Sequence, residues 1–213
     1  VATGAVVTNI VGPLDYSFRR YTILPDTTLC SVVGGMTATA VSTSQSDEFT
    51  VAGFNMQRFF DTVNDPGTSD VVLTATAFNN RLNKVSLAIR NFLNTPDIIG
   101  VVEMENLTTL QAVAAKVSAD AIAAAQPDPQ YAAFLVEGND IGGIDVGFLV
   151  KTPVVTGATP RVAVGSVVQE KAGELLVNPD SSTDILNDRP TLRLEATINF
   201  ANETYRWLGQ SKD

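Results

Sequence analysis

The stretch that most constrains this chain is Ile98-Ile-Gly-Val-Val-Glu-Met104, apolar without a break until Glu103 and entered from Pro96-Asp97. A short continuous apolar run of this kind reads as a strand buried on both faces of its sheet. Before it, Leu82, Val85, Ile89 and Phe92 recur at helical spacing with polar Asn83, Lys84, Ser86 and Arg90 between them, which predicts an amphipathic helix over 81–93 that Pro96 stops. After it, Thr108 and Thr109 are candidate caps of a second helix carrying Leu110, Val113, Val117 and Ala121. That helix runs to about Ala125, where Pro127 and Pro129 end it.

Strands flank this centre. Phe49 to Asn55 reads as a mostly buried strand that Asn55 closes, and Tyr131–Val136 and Ile144–Val150 read as two more. The connection Glu137-Gly-Asn-Asp-Ile-Gly-Gly143 is long enough to serve a site. Residues 151–188 are less regular. Beyond Arg189-Pro190 a clean alternation puts Leu192, Leu194, Ala196 and Ile198 on one face and Arg193, Glu195 and Thr197 on the other. The chain begins differently: residues 1–33 alternate short β-type runs with the turn pair Gly12-Pro13, and residues 34–47, rich in Thr, Ala and Ser, read as a linker to a domain over 48–213.

Composition narrows the chemistry. The 213 residues are 45% hydrophobic, enough for a real core, and no apolar run reaches the 18 residues of a membrane span. The net charge of −9 argues against a protein that holds nucleic acid by a broad basic face, so phosphate chemistry has to rest on a local site or a bound cation. One cysteine, Cys30, and no histidine exclude an internal disulfide, a Cys/His metal cluster and any Ser-His-Asp or Cys-His arrangement within the chain. Hard oxygen ligands remain, suited to Mg²⁺, Mn²⁺ or Ca²⁺.

Glu103 and Glu105 stand at the end of the buried strand, where an ionised carboxylate needs a cation, a hydrogen bond or solvent. Two residues apart, they project to the same side, so spacing does not choose between them. Asn55 stands at a strand end in the same way, as a turn residue or a site residue. Asn106-Leu-Thr and Asn202-Glu-Thr match the glycosylation pattern, which arises often by chance.

The strand ending Phe54-Asn55-Met56 resembles the opening strand of the endonuclease/exonuclease/phosphatase family, which includes deoxyribonuclease-I-like nucleases. The segment from Arg81-Leu-Asn-Lys to Pro96-Asp-Ile-Ile-Gly-Val-Val-Glu-Met-Glu-Asn106 resembles its next signature, which leads to a metal-binding Glu. Gly142-Gly-Ile-Asp-Val-Gly-Phe-Leu-Val resembles its central strand, and Asn187-Asp-Arg-Pro-Thr-Leu the stretch before the strand that follows. Among members, large secreted bacterial nucleases with an oligonucleotide-binding-like β module ahead of the nuclease domain are the most similar, through Gly12-Pro-Leu-Asp-Tyr-Ser-Phe and Gly138-Asn-Asp-Ile-Gly-Gly-Ile-Asp.

The resemblance implies an α+β fold, a four-layer sandwich of two mainly antiparallel or mixed sheets flanked by helices, truncated here and preceded by a short β module. It implies a metal-dependent phosphodiesterase, a secreted extracellular nuclease acting on DNA or RNA. Lipid phosphodiesterase, sugar phosphatase and a non-catalytic surface module are the alternatives. By matching positions, Glu103 holds Mg²⁺ (or Mn²⁺/Ca²⁺), Asn55 orients the phosphate or nucleophile, and Arg189 contacts a substrate phosphate, although an Arg before Pro is also a common surface residue. Asp145 orients a histidine of the complete domain, or is a structural hydrogen-bonded carboxylate. Val102 departs from the usual Gln. The family's later Asn-His, Gly-Asp-x-Asn and Ser-Asp-His segments do not appear, so the chain by itself is expected to be inactive, and Glu105 is expected to stay off the metal. A monomer is expected.

Overall fold

The computed structural model describes residues 3–200 and 203–212. Asn202 of the second glycosylation pattern lies outside the described residues. The chain divides into Val1–Thr39 and Ala40–Asp213.

The first unit holds β1 (Ala5–Thr8), β2 (Leu14–Ser17), β3 (Arg20–Ile23) and β4 (Ser31–Gly34). The β2–β3 hairpin is nested within the antiparallel β1–β4 pair. Its turns follow from Gly12-Pro13, where a Cβ on Gly12 would lie 1.9 Å from the Leu24 carbonyl oxygen, and from Asp26, whose carboxylate accepts the Thr28 N–H at 2.9 Å.

The second unit runs β5 (Val51–Phe59), α1 (Ala75–Asn91), β6 (Ile98–Met104), α2 (Leu107–Ala123), β7 (Tyr131–Leu135), β8 (Asp145–Lys151), β9 (Val154–Thr156), β10 (Thr159–Pro160), β11 (Val162–Gln169), β12 (Leu175–Val177), β13 (Thr183–Ile185), β14 (Leu192–Asn199) and β15 (Thr204–Ser211). It is an α+β fold. One sheet has the order β5-β6-β8-β7, with β5 and β6 parallel and the other pairs antiparallel; the second has the order β11-β14-β15, antiparallel throughout. Hairpins β9–β10 and β12–β13 occupy the region that reads as irregular in sequence.

The apolar strand β6 sits inside the first sheet as its composition requires. Ile99, Val101 and Met104 pack with Leu82 and Ile89 of α1 and Leu110, Val113 and Val117 of α2, while Ile98 packs the other way with Val162, Leu192, Leu194 and Ile198 of the second sheet. Strand β8 alternates in the same manner. Val146, Phe148 and Val150 face the second sheet and Leu149 the helices, so helices, first sheet and second sheet form three successive layers.

Several boundaries differ from the sequence reading. Helix α1 is capped by Thr74 and begins at Ala75, six residues before Arg81, because Phe78 extends the apolar stripe one turn back. The α2 cap is Asn106 rather than Thr108 or Thr109: its Oδ1 accepts the Thr109 N–H at 2.8 Å, while its Nδ2 donates to Asp65 at 2.9 Å. Strand β5 is a half-exposed edge, with Val51 49% exposed, and does not end at Asn55. After Asn55 pairs with Val102, Gln57 and Arg58 loop out with φ of 55° and 54°, and the ladder resumes at Phe59 opposite Met104.

Where β5 and β6 begin, a buried ion pair ties the two sheets together. Arg161 grips Asp97 with Nε–Oδ1 and Nη2–Oδ2 distances of 3.0 Å each, and also donates to the carbonyls of Glu48 and Asn199. Asp97 is only 4% exposed, and its Oδ2 takes a further bond from the Thr50 N–H at 3.0 Å. The guanidinium lies 4.1 Å from the Phe200 ring centre.

Candidate functional site

The other end of the first sheet gathers the polar residues. Because β5 and β6 are parallel neighbours, their C-terminal ends lie side by side. The antiparallel β8 brings its first residue, Asp145, opposite Met104. The side chains of Asn55 and Glu103 meet, Nδ2 donating to Oε1 at 2.9 Å. Asn55 Oδ1 accepts the Gln57 N–H at 2.6 Å, which leaves the amide nitrogen as the end that faces the carboxylate. Glu103 itself has φ of 59°, a conformation an L residue adopts at an energetic cost.

A polar cleft of about 280 Å³ opens at this point, lined by Arg58, Glu103, Asp140, Gly142, Ile144 and Arg189. Arg189 stands 3.9 Å from Asp140, so the loop over 137–143 and the segment before β14 are joined at the cleft by an ion pair. Asn139 reinforces that junction by donating to the carbonyls of Ala172 and Asn187 at 2.8 and 2.9 Å. Glu103 and Arg189 thus line one cleft, with Asn55 bonded to Glu103. Arg58, which the sequence reading passed over, joins them because the β5 bulge turns it there; a lone Arg after Met56-Gln57 carries no periodic signal.

Asp145 is not among the cleft residues. It is 4% exposed, and its Oδ1 accepts the Gly138 N–H at 2.7 Å. Burial, and then the hydrogen bond shared with the neighbouring Glu137 carboxyl, push it up to about 7. Burial likewise raises Glu137. The Asp145 and Glu137 carboxyls meet at the base of the 137–143 loop, to which the Gly138 N–H ties Asp145.

Glu105 is also buried, at 2% exposure, in surroundings unlike those of Glu103. Its Oε2 accepts the Asp61 N–H at 2.6 Å and approaches the Thr109 hydroxyl at 3.3 Å, while Oε1 has no hydrogen-bond partner. Burial is the main cause that pushes its pKa up to about 7, and the Asp61 charge adds to it. Sequence spacing alone does not distinguish the two glutamates, but their environments do.

The donors at the cleft are carboxylate oxygens, the chemistry of a hard divalent cation. Among the described residues no cluster of three or more Asp, Glu, His or Cys is placed to hold a metal ion. Magnesium commonly keeps several waters and binds through one or two carboxylates together with substrate phosphates, so the two cleft carboxylates, Glu103 and the Arg189-paired Asp140, fit that mode and do not form a closed protein cage. Among the described residues no helix is long and apolar enough to cross a membrane. Comparison of the chain with family models, with curated proteins and with solved structures finds no match.

Proposed function

We propose that the second unit carries part of the catalytic face of a metal-dependent phosphodiesterase of the endonuclease/exonuclease/phosphatase kind, in a secreted bacterial nuclease acting on DNA or RNA, whose complete domain is a four-layer sandwich. The observation that carries this reading is the 2.9 Å bond between Asn55 and Glu103, which joins two sequence segments singled out independently of each other. Arg58 and Arg189 line the same cleft and supply the planar donors that suit a phosphodiester oxygen.

Within this reading Glu103 is the residue that holds the cation, Asn55 fixes the orientation of its carboxylate, and Arg58 and Arg189 bind and orient the phosphate. A divalent ion bound there supplies Lewis-acid polarisation of the phosphoryl oxygen. The 213 residues contain no histidine, so their own contribution is binding and orientation, and no proton transfer is assigned to them.

The test uses Mn²⁺ alone, titrated into the purified chain by paramagnetic resonance, followed by incubation with plasmid DNA and Mg²⁺. Weak Mn²⁺ binding that is lost in Glu103→Gln and kept in Glu105→Gln is the expected result, with no appreciable cleavage. Gln keeps an oxygen to accept from Asn55, so the substitution is expected to leave the fold intact. Mn²⁺ binding untouched by Glu103→Gln would remove the metal-site reading.

A further inference from the structure

The β5 bulge is an expensive piece of backbone. Two consecutive non-glycine residues, Gln57 and Arg58, are left-handed, at roughly 1–3 kcal/mol each. The register advances from Asn55 opposite Val102 to Phe59 opposite Met104, so four steps on β5 match two on β6. The carbonyls of Met56, Gln57 and Arg58 therefore leave the ladder, and Met56 is buried. The carbonyl of buried Met56 needs a donor, and those of the exposed Gln57 and Arg58 find theirs at the sheet edge.

One side chain supplies them all. Arg81, on the second turn of α1, donates through Nη1 to the Arg58 carbonyl at 2.8 Å and through Nη2 to those of Met56, at 3.1 Å, and Gln57. Its guanidinium lies 4.9 Å from the centre of the Phe59 ring, which anchors the residue where pairing resumes. The bulge so held presents the Gln57 N–H to Asn55 Oδ1, and that bond turns Asn55 Nδ2 toward Glu103.

We infer that Arg81 is a positioning residue of the candidate site, acting through the bulge carbonyls to set the Asn55 amide, and through it the Glu103 carboxylate. The identification of Glu103 as a cation ligand rests on the function proposed above; the relay from Arg81 to Asn55 does not. A helix residue thereby controls a sheet-edge site to which it contributes no atom. Only a forked, planar donor set reaches three carbonyls that diverge from a bend. Lysine, a single flexible point donor, does not substitute for it, even with its stem retained over Phe59.

The experiment compares the whole chain with Arg81→Met and Arg81→Lys, using two readouts. In ¹H–¹⁵N spectra the Asn55 side-chain amide and the Gln57 backbone amide report the relay directly. Both variants are expected to shift the Asn55 amide resonance and to speed Gln57 hydrogen exchange by on the order of ten-fold or more, while the amides of α2 and β8 stay protected. Mn²⁺ affinity is expected to fall roughly 10- to 100-fold, the scale seen when groups that orient a metal ligand are removed. A purely structural Arg81 would lower the melting temperature and leave the Asn55 and Gln57 signals unmoved, and that result overturns the inference. Full retention of both signals in Arg81→Lys also overturns it, since the fork would then be unnecessary. If Arg81→Met does not fold, Arg81→Lys decides the question alone. Were wild-type Mn²⁺ binding indifferent to Glu103→Gln, the metal reading would fail, and the amide signals would still decide the role of Arg81.

Discussion

Removing the guanidinium that ties the two sheets together should be among the most damaging single changes in the second unit. In Arg161→Met the aliphatic stem still packs near Phe200, but Asp97 loses both charge-assisted bonds of 3.0 Å and keeps only the Thr50 N–H on its carboxylate. At 4% exposure water does not readily replace them. Breaking one partner of a buried pair costs about 3–5 kcal/mol, a large share of a typical domain stability of about 5–15 kcal/mol. Asp97→Asn should cost less, about 2 kcal/mol, because Arg161 retains the Glu48 and Asn199 carbonyls at 2.7 and 3.2 Å and becomes only partly unpaired. The double variant should then be more stable than the sum of the singles implies, since no ionised carboxylate is left buried. Urea unfolding followed by fluorescence measures this directly: the chain has one tryptophan, Trp207, which lies edge-on to Phe148 at 6.5 Å in the second unit. A loss below about 1 kcal/mol in Arg161→Met, or strictly additive losses, would refute the claim that an unpaired buried carboxylate dominates the cost.

Two further outcomes concern the site end of the sheet. Glu105 has a folded-state pKa of about 7 against an ordinary 4.5, so the folded state binds more protons between those values; the associated stability is fully present below about 4.5 and is lost as pH rises through 7. Glu105→Gln should accordingly raise the melting temperature at pH 8 but not at pH 4.5, and parallel melting curves for the two proteins across that range would contradict the assignment. At Gly138 an added Cβ would stand 2.5 Å from Asp145 Oδ1 and 2.8 Å from Pro190 Cδ, so Gly138→Ala should lower thermal stability measurably, whereas Gly173→Ala, with nothing within 4 Å of the new atom, should not.

How much of the fold was legible depended on whether each element buries enough side chains to leave a periodicity. Strands β6 and β14 were readable because their buried residues are contiguous or strictly alternating, and α2 because Leu110, Val113, Val117 and Ala121 form an uninterrupted stripe. The first turn of α1 was not, since Ala75 and Thr76 are exposed and only Phe78 marks the core side. Strand β15 escaped for a related reason: it pairs with β14 over its whole length yet leaves Tyr205 and Leu208 48% and 61% exposed, so its sequence shows no two-residue alternation. Hairpin β12–β13 is fully exposed, and its pairing depends on Asn178 and Asp180 in the turn rather than on apolar pattern.

At the candidate site the limit was backbone geometry. Period-two reasoning placed Glu103 and Glu105 on one side and could go no further, because it assumes extended residues throughout. Glu103 is left-handed, and β6 ends at Met104, so the two carboxylates part: one reaches the cleft and the other is buried beside Asp61 and Thr109. Gln57 and Arg58 likewise carry no glycine or asparagine to announce the bulge that brings Arg58 to the cleft and Arg81 to its carbonyls. The consequence is electrostatic. Two guanidinium groups and two carboxylates line the cleft and their charges cancel, in a chain of net charge −9, so the cleft has no excess positive charge with which to attract a polyanion. Under the function proposed above, a divalent ion on Glu103 would change that sign locally, and phosphate binding at this cleft would then depend on the cation and not on the protein's overall field.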